Sequence, residues 1–340
     1  MTESRMQGFA AGRYAAIDIG TVTCRMLVAD VDAAGAIHEV DREYAITNLG
    51  EGVDATGMLL PAAIDRTVET VGGYCAVRDR LAERGAPIAK TIAVATSASR
   101  DAGNSDEFVR RLAELGVVLS VIPGWKEAGL SFSGASCDFP GQDLMVVDIG
   151  GGTTEVAVIS LGGIVVSRSV RVGGIRMDAA IINFIKREFN MLIGDRTAED
   201  VKFDLGAALP MNDVRRAFVR GRDLVTNLPQ TAEITSTMVY EALKAPCQAI
   251  LAAIQYVLER TPPELAGDVM RSGIHLTGGG ALLCGMDRFI ATELDMPVLL
   301  AKEPMDCAAL GIGQLAEDLE LLQRMCQSAP QRDDEEETTF

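Results

Sequence analysis

The sequence lacks the features that mark membrane and secreted proteins. Although 48% of its residues are hydrophobic, no run approaches the roughly 20 consecutive apolar residues that a membrane-spanning helix needs. No basic segment followed by a short apolar one opens the chain, so we predict no export signal. No two cysteines form a Cys-x-x-Cys pair, which argues against structural zinc and disulfide bonds and for a reducing, cytoplasmic location. The 7 cysteines stand at positions 24, 75, 137, 247, 284, 307 and 326.

Basic residues are also few compared with acidic ones. The chain has 31 Lys and Arg against 48 Asp and Glu, a formal net charge of −17. This charge argues against nucleic acid and anionic membrane surfaces as main partners. An anionic ligand would therefore have to be bound locally, by backbone amides and a metal ion. The polar segment 1–12 and the acidic tail 326–340 are expected to be disordered.

One pattern occurs twice: a short apolar strand ends in Asp-Ile-Gly and is followed at once by a returning strand. It is found at Ala15–Thr21 and again at Met145–Glu155, which contains three consecutive glycines. A length of 340 residues is ample for two domains. The repeat therefore predicts two related domains facing one polyphosphate. At the strand ends, Asp18 and Asp148 are the expected ligands of a hydrated Mg²⁺ ion.

The residues that follow each aspartate suit phosphate groups. Glycines have no Cβ, so backbone N–H groups can converge on an anion at close range, and threonine hydroxyls add donors. The predicted phosphate ligands are Gly20, Thr21, Gly150, Gly151, Gly152 and Thr153. A third turn, formed by Gly278, Gly279 and Gly280, has no aspartate and is better suited to a flat ring or a ribose edge. Three such turns in this order favour one shared ligand cleft over three ordinary tight turns.

Strand and helix patterns support a division into two halves. The first half reads β-β-β-α-β-α-β-α, an α/β layer with an antiparallel meander at one edge. The second half repeats the meander and is interrupted near residues 191–240 by a small inserted subdomain. Within this insertion we predict a β-ribbon over residues 214–234, with turns at Gly221 and Asn227. The last helix, Cys307–Leu322, is expected to cross back onto the first domain.

Hydrolysis needs a group that orients water, and Glu127 is the candidate. It falls at the start of a predicted helix, where an acid that only complements the helix dipole is an equal alternative. Arg25, early on a returning strand, and Arg100, after a Thr-Ser-Ala-Ser run, are candidates for phosphate contact. For each arginine alone, an ordinary ion pair is the simpler alternative. The two histidines, His38 and His275, are isolated and receive no role.

Taken together, the glycine-rich motifs resemble a known set. Asp18-Ile-Gly-Thr, Asp148-Ile-Gly-Gly-Gly-Thr and Thr277-Gly-Gly-Gly resemble the phosphate-1, phosphate-2 and adenosine motifs of the actin/hexokinase/Hsp70 superfamily. The resemblance implies an α/β fold with two RNase H-like, actin-like ATPase domains that flank a nucleotide cleft. We place these domains at residues 13–144 and 145–325, with a small α+β subdomain inserted in the second.

Residues 14–155 are further similar to the N-terminal domain of the Ppx/GppA exopolyphosphatase and pentaphosphate phosphatase family. The similarity rests on Ala16-Ile-Asp-Ile-Gly-Thr, Cys24-Arg-Met-Leu-Val-Ala, Leu49-Gly-Glu-Gly-Val-Asp, Ala93-Val-Ala-Thr-Ser-Ala-Ser-Arg-Asp-Ala and Ile122-Pro-Gly-Trp-Lys-Glu-Ala. It implies that Glu127 is the catalytic glutamate and that Arg25 and Arg100 lie near phosphate. The chain departs from this family at Val22-Thr23, where Asn-Ser is usual, and at Lys126, where an acid is usual.

From Met145 onward the sequence resembles MreB, the bacterial actin-like cell-shape family. The similarity rests on Val146–Gly174, Leu192–Lys202, Gly221–Thr226 and Leu276–Leu283. It implies that Glu199 and Lys202 lie near the adenosine. Ile175 departs from this family, in which Asp is usual at that position.

The chain thus resembles a hybrid joined inside the motif that both families share, by natural recombination, by engineering or by an assembly error. We expect it to bind Mg-ATP in the interdomain cleft and to hydrolyse the terminal phosphoanhydride, with Glu127 orienting the water. One alternative is a Ppx/GppA-type phosphatase acting on polyphosphate or guanosine pentaphosphate. Another is an MreB-like filament subunit whose hydrolysis times assembly, and a third is that the halves form no working cleft.

Self-association is compatible with the MreB resemblance, but a full MreB-type filament is not expected. The loop Thr47–Gly57 is too short for the small N-terminal subdomain of that family. Residues 1–12 also form no basic amphipathic helix of the kind that lies on a membrane surface.

Overall fold

A computed structural model describes residues 11–32, 37–122, 127, 129–131, 143–160 and 163–315 of the chain. Residues 1–10 and 326–340, which belong to the segments expected to be disordered, lie outside these ranges. Within them, no helix is both long and apolar enough to cross a membrane.

The first half of the chain folds around a five-stranded sheet. Its strands are β1 (Gly12–Ile19), β2 (Thr23–Val31), β3 (Ile37–Ile46), β4 (Ile88–Ala95) and β5 (Leu119–Val121). Its helices are α1 (Val53–Thr56), α2 (Pro61–Arg84), α3 (Ser97–Asp101) and α4 (Ser105–Glu114). One core cluster joins the sheet residues Ile17 and Met26 to Ile64 of α2 and to Phe108 and Leu112 of α4. These apolar side chains, buried between sheet and helices, hold the first half together.

The second half forms another five-stranded sheet and a smaller three-stranded one. The strands are β6 (Leu144–Ile149), β7 (Thr154–Ser160), β8 (Gly163–Val170), β9 (Met191–Leu192), β10 (Arg216–Asp223), β11 (Pro229–Thr235), β12 (Ile274–Thr277) and β13 (Val298–Leu300). The helices are α5 (Gly174–Phe189), α6 (Asp195–Leu205), α7 (Ser236–Arg260), α8 (Pro263–Ser272), α9 (Met286–Leu294) and α10 (Cys307–Leu315). Met177, Ile181 and Ile185 recur every four residues along α5 and share a buried cluster with Ile250 and Ile254 of α7.

The two five-stranded sheets have the same strand order. The first runs β3-β2-β1-β4-β5 and the second β8-β7-β6-β12-β13. In each, three antiparallel strands form a meander, and two further strands join it in parallel. The repeated Asp-Ile-Gly pattern therefore marks a repeat of the whole sheet.

The three-stranded sheet has the order β11-β10-β9 and packs with α6. The predicted ribbon is confirmed, and the chain reverses through Asn227, whose φ is 60°. The predicted turn at Gly221 is wrong. Gly221 lies inside β10 opposite Gln230, and a Cβ there would fall 2.5 Å from the backbone oxygen of Leu192. This glycine permits close approach of β9 and does not reverse the chain.

The last described helix crosses back onto the first sheet, as predicted. Ala309 and Leu310 of α10 pack against Leu27 and Ala29 of β2 in one apolar cluster. A Cβ on Gly311 would fall 1.9 Å from the backbone oxygen of Leu130, so helix and chain are in direct contact there. The predicted continuation to residue 322 lies outside the described residues.

Candidate active site between the two sheets

The first sheet presents a row of three side chains at the end of β1. Asp18 on β1 is paired with Arg25 on β2, and Arg25 with Tyr44 on β3. Directly opposed residues of an antiparallel ladder lie on the same face, so these side chains are neighbours. The Arg25 guanidinium carbon is 5.7 Å from the centroid of the Tyr44 ring. Arg25 therefore stands between an acid and an aromatic ring.

The second sheet carries a matching row. Asp148 on β6 is paired with Glu155 on β7, and Glu155 with Ser169 on β8. The Ser169 hydroxyl donates to Glu155 Oε1 at 2.7 Å. On the other side, Thr277 of β12 is the parallel neighbour of Asp148. Sequence analysis missed Glu155, and the signal that would have found it is its register position opposite Asp148.

Asp18 is buried, Asp148 is partly buried, and the two carboxyl groups influence each other. Burial raises the pKa of Asp18 to about 6; Arg25 opposes this increase, whereas Asp148 adds to it. Burial also raises the pKa of Asp148, against a hydrogen bond donated by Ser131 and the charge of Arg25. Arg25 therefore acts on both aspartates, and the two rows face each other across a cleft, as the repeated motif predicts.

Glu127 belongs to the same cluster of acids. Its Oε2 atom is buried and has no hydrogen-bond partner among the described residues. Burial raises the pKa of Glu127 well above its usual value, and the charges of Glu155, Asp148 and Asp18 raise it further, while Arg100 opposes them. A buried polar atom without a partner costs free energy unless water or a ligand satisfies it. The structure thus places Glu127 close enough to Asp18 and Asp148, the two predicted metal ligands, for their charges to affect its pKa.

Arg100 is the cation on the Glu127 side of the cleft. Its Nε donates to Asp101 at 3.0 Å, and Asp101 also pairs with Arg171 of the second half at 3.3 Å. Its Nη1 atom is buried and, within the described ranges, donates no hydrogen bond. Burial raises the pKa of Glu155 to about 7, with the hydrogen bond from Ser169 and then the charge of Arg100 opposing the increase. Arg100 is therefore close enough to Glu127 and Glu155 to lower the pKa of each. Its Nη1 donor has no partner among the described residues.

The turns after the two aspartates are built alike. The N–H of Gly20 donates to the carbonyl of Thr23, and the N–H of Gly150 to the carbonyl of Thr153, both at 2.9 Å. These two backbone groups, predicted to bind phosphate, are thus hydrogen-bonded within their own turns.

The two turns also touch each other across the cleft. A Cβ on Gly151 would lie 2.5 Å from Cγ2 of Val22, and one on Gly152 would lie 2.9 Å from Oγ1 of Thr21. That threonine hydroxyl shares a 2.8 Å hydrogen bond with Ser97. Only glycine fits this closely, and a phosphate group can enter between the turns only after they separate.

The third glycine-rich turn packs against the end of β6. Gly278 has a φ of 80°, and a Cβ there would fall 2.3 Å from Oδ1 of Asp148. A Cβ on Gly280 would fall 2.3 Å from Cγ2 of Ile149, and one on Gly279 would lie 3.9 Å from the sulfur of Met305. The turn predicted to bind the nucleoside is therefore adjacent to the second aspartate.

Glu199 and Lys202, also predicted near the nucleoside, lie on α6. Lys202 Nζ pairs with Asp178 of α5 at 2.8 Å and approaches the carbonyl of Gly174 at 3.4 Å. The N–H of Gly174 donates to the carbonyl of Gly150 at 3.1 Å, so this pair lies behind the second turn. Burial raises the pKa of Asp178 to about 6, with Lys202 opposing and Glu199 adding to the increase. Asp178 is a second residue that sequence analysis missed.

The fit of a magnesium ion depends on Asp18 and Asp148. Among the described residues, no three His, Cys, Asp or Glu side chains are gathered closely enough to hold a metal ion directly. Mg²⁺ usually keeps several waters and needs only one or two carboxylates. Asp18 and Asp148 suit a hydrated ion of this kind and do not suit an ion coordinated by protein side chains alone.

Comparison with known families assigns the two halves separately. The model of the MreB/Mbl proteins matches residues 134–324, more than half of the chain. The chain belongs to the MreB/Mbl family. The model of the Ppx/GppA phosphatase family matches residues 27–184. The two matches overlap from residue 134 to residue 184, which includes β6 and the Asp148 turn. The predicted hybrid of the two families is therefore confirmed.

The similarity to curated MreB/Mbl relatives covers only part of each protein. Cell shape-determining protein Mbl of Bacillus subtilis is 49% identical over 178 residues, which make up 52% of this chain and 54% of Mbl. The chain thus spans about half the length of the curated relatives that it matches.

Solved structures confirm the two-domain, actin-like fold. MreB5 of Spiroplasma citri, solved with ADP, is 25% identical and has a TM-score of 0.68, covering 94% of this chain and 99% of that one. A Ppx/GppA family member from Aquifex aeolicus has a TM-score of 0.51 and 17% identity, covering 91% and 99%. At that identity the second similarity concerns the fold alone.

The matches divide the candidate site of this MreB/Mbl-family chain. Arg100 and Glu127 lie in the part matched by Ppx/GppA alone, whereas Lys202 and Gly278 lie in the part matched by MreB/Mbl alone. Asp148 lies in the overlap. The cleft is therefore assembled from both contributions.

Proposed function

We propose that this MreB/Mbl-family chain binds Mg-ATP between its two sheets and hydrolyses the terminal phosphoanhydride. The observation that carries the proposal is the buried Oε2 atom of Glu127, which has no hydrogen-bond partner among the described residues and lies in the field of Asp18, Asp148 and Glu155. Arg100 Nη1, also buried and similarly unsatisfied, supplies a donor in the same cluster. An acceptor and a donor left open in this way suit a water molecule and a phosphate oxygen.

Each side chain then has a defined task. Glu127 accepts a hydrogen bond from the attacking water and takes up its proton, which a carboxylate with a raised pKa does more effectively near neutral pH. Arg100 and Arg25 stabilise the negative charge that develops on the phosphate oxygens. Mg²⁺, held through water by Asp18 and Asp148, would neutralise charge on the phosphates.

Substrate entry requires the two aspartate turns to separate. Val22 and Thr21 occupy the space in front of Gly151 and Gly152, where the phosphates would lie. Opening of the cleft therefore precedes binding, and reclosure around the nucleotide excludes water from the reacting phosphate.

The third turn supports a nucleotide rather than a simple polyphosphate. Gly278 to Gly280 adjoin Asp148 and lack a carboxylate of their own, and Glu199 and Lys202 lie behind the second turn. The relative MreB5 was solved with ADP, which supports the same assignment here.

The test is phosphate release from ATP, guanosine pentaphosphate and polyphosphate, measured side by side with Mg²⁺. Glu127→Gln should bind ATP as the wild type does and lose about 10²-fold or more in release, because it can no longer accept the proton. The matched control is Glu107→Gln, an exposed acid in the first turn of α4. If both variants keep full activity, Glu127 only complements its helix and the mechanism is wrong.

A second candidate is a Ppx/GppA-type phosphatase acting on polyphosphate or guanosine pentaphosphate. It is favoured by the position of Arg100 and Glu127 in the range matched by Ppx/GppA alone. Turnover of polyphosphate without ATP binding would establish this function instead.

A third candidate is a cell-shape filament subunit whose hydrolysis times assembly. It is favoured by the name of the relative Mbl, a cell shape-determining protein. ATP-dependent sedimentation at high speed would support it, and a monomer at all nucleotide concentrations would contradict it.

A further inference from the structure

Arg25 is enclosed by acids from both halves of the chain. Its own strand partner is Asp18, and Asp148 of β6 is close enough for Arg25 to lower its pKa. A third acid, Asp306, lies with its Oδ1 4.0 Å from Arg25 Nε, and the two side chains are only 11% and 13% exposed. Two of the three acids around this arginine thus come from the second half.

Asp306 is held firmly where it stands. Its other oxygen, Oδ2, accepts a 2.5 Å hydrogen bond from Nη1 of Arg42 on β3. Its backbone N–H donates to the carbonyl of Glu303, and its carbonyl accepts from the N–H of Leu310. Leu310 and its neighbour Ala309 are anchored in the apolar cluster on β2. A partly buried acid with fixed backbone and a second arginine partner provides a rigid point of attachment.

Asp306 can orient Arg25 towards phosphate in a way that Asp18 cannot, because Asp306 lies opposite the Nε atom of the guanidinium. A guanidinium offers several N–H donors, and an acid that faces Nε leaves the terminal Nη groups available for phosphate oxygens. If Arg25 instead turned fully onto Asp18, it would neutralise one of the two proposed magnesium ligands. Because Asp306 and Arg25 belong to different halves, their ion pair requires the packing of α10 on β2.

From these contacts, and resting on the proposed hydrolysis, we propose that Asp306 is a positioning residue that holds Arg25 in the orientation that meets the transferred phosphate. Asp306 touches no reacting atom in this role. It acts through Arg25 and links the orientation of that arginine to the docking of the C-terminal helix.

The test compares Asp306→Asn with Glu303→Gln. Glu303 lies in the same turn, pairs with Arg42 at 3.2 Å and is 58% exposed, so its replacement removes one charge and leaves Arg25 unaffected. Asp306→Asn should lower kcat for phosphate release from ATP about tenfold with KM nearly unchanged. Asp306→Glu should restore part of the rate, and Glu303→Gln should match the wild type. Equal kcat for Asp306→Asn and Glu303→Gln would overturn the proposal.

A double-mutant cycle separates a positioning role from general destabilisation. In an Arg25→Ala background, Asp306→Asn should cost nothing further in kcat, since the group through which it acts is gone. A further tenfold loss would contradict the proposal.

Failure of the proposed function is distinguishable from failure of this inference. A wild-type chain that releases no phosphate from ATP refutes the proposed function by itself. The same cycle is then measured by thermal unfolding, where non-additive effects of Arg25→Ala and Asp306→Asn support the pairing and additive effects overturn it.

Discussion

The turn after β1 and the turn after β6 are closed by the same hydrogen bond, and each follows an aspartate that begins a row across its meander. The rows differ at their middle position, which is Arg25 in the first sheet and Glu155 in the second. The same backbone arrangement therefore places a cation on one side of the cleft and an acid on the other. The sheet determines the position of the middle side chain. The type of residue at that position determines the electrostatic potential on that side of the cleft.

The two middle residues also act on different neighbours. Arg25 lowers the pKa values of Asp18 and Asp148, the proposed magnesium ligands. Glu155 raises the pKa of Glu127, the proposed base, and is itself opposed by Arg100. The first row thus favours ionised metal ligands, whereas the second favours a base that holds protons more tightly.

Replacing the charged middle residue of each row with a neutral one should have the largest effect on phosphate release. Arg25→Gln should lower phosphate release about 10²-fold, because a charge that faces the phosphates is lost. Glu155→Gln should retain more activity, because Glu127 and both arginines proposed to contact phosphate, Arg25 and Arg100, remain. The measurement is the pH profile of the residual rate in each variant.

The acidic limb of that profile should move in opposite directions. In Glu155→Gln it should shift to lower pH, since a charge that raises the pKa of Glu127 is gone. In Arg25→Gln it should shift to higher pH, since the cation that lowers the pKa values of both Asp18 and Asp148 is gone. Shifts in the same direction would show that the two rows act on the same group.

The stability of the ligand-free chain should depend on pH through the same acids. Asp18 and Glu155 have folded-state pKa values of about 6 and about 7, above the values of about 4 expected in the unfolded chain. The folded state therefore binds more protons in this interval, and stability falls as the pH rises through it.

Thermal unfolding without nucleotide or metal should accordingly give a higher Tm at pH 5 than at pH 8. The difference should shrink in Glu155→Gln and grow in Arg25→Gln, which removes the charge that opposes the increase at Asp18. A Tm that rises from pH 5 to pH 8 would contradict the assignment.

The sequence predicted the features whose residues are close together along the chain, and it did not predict those that depend on contacts between distant residues. The repeated Asp-Ile-Gly turns are local signals, and they correctly predicted two equivalent sheets. Glu155 was missed because its meaning depends on the pairing register with Asp148. Asp178 and Asp306 were missed because their partners, Lys202 and Arg25, lie on other elements that only tertiary packing brings near.

Gly221 shows the opposite error. A glycine flanked by polar residues, as Gly221 is by Arg220 and Arg222, suggests a turn, but here it permits another strand to approach. The local sequence does not distinguish the two uses. The contact with Leu192 decides between them, and that contact exists only in the folded insertion.

The smallest expected effect concerns the contact between the turns. The second turn has glycines where the first has Thr21 and Val22, and Val22 packs against Gly151. Val22→Ala should weaken this contact, so nucleotide association should be about two- to fivefold faster with a slight loss of stability. Val118→Ala, at an 81% exposed position, is the control. Stopped-flow binding rates that are equal in both variants would show that Val22 does not restrict entry.

The helix α10 has a consequence for how such a chain can arise. A single genetic crossover within β6 replaces everything that follows, including a helix that covers β1 and β2 of the retained half. One exchange of sequence therefore creates two new protein interfaces, the cleft and the α10 contact. A viable recombinant must satisfy both, so only donors whose final helix suits the host's first two strands are tolerated.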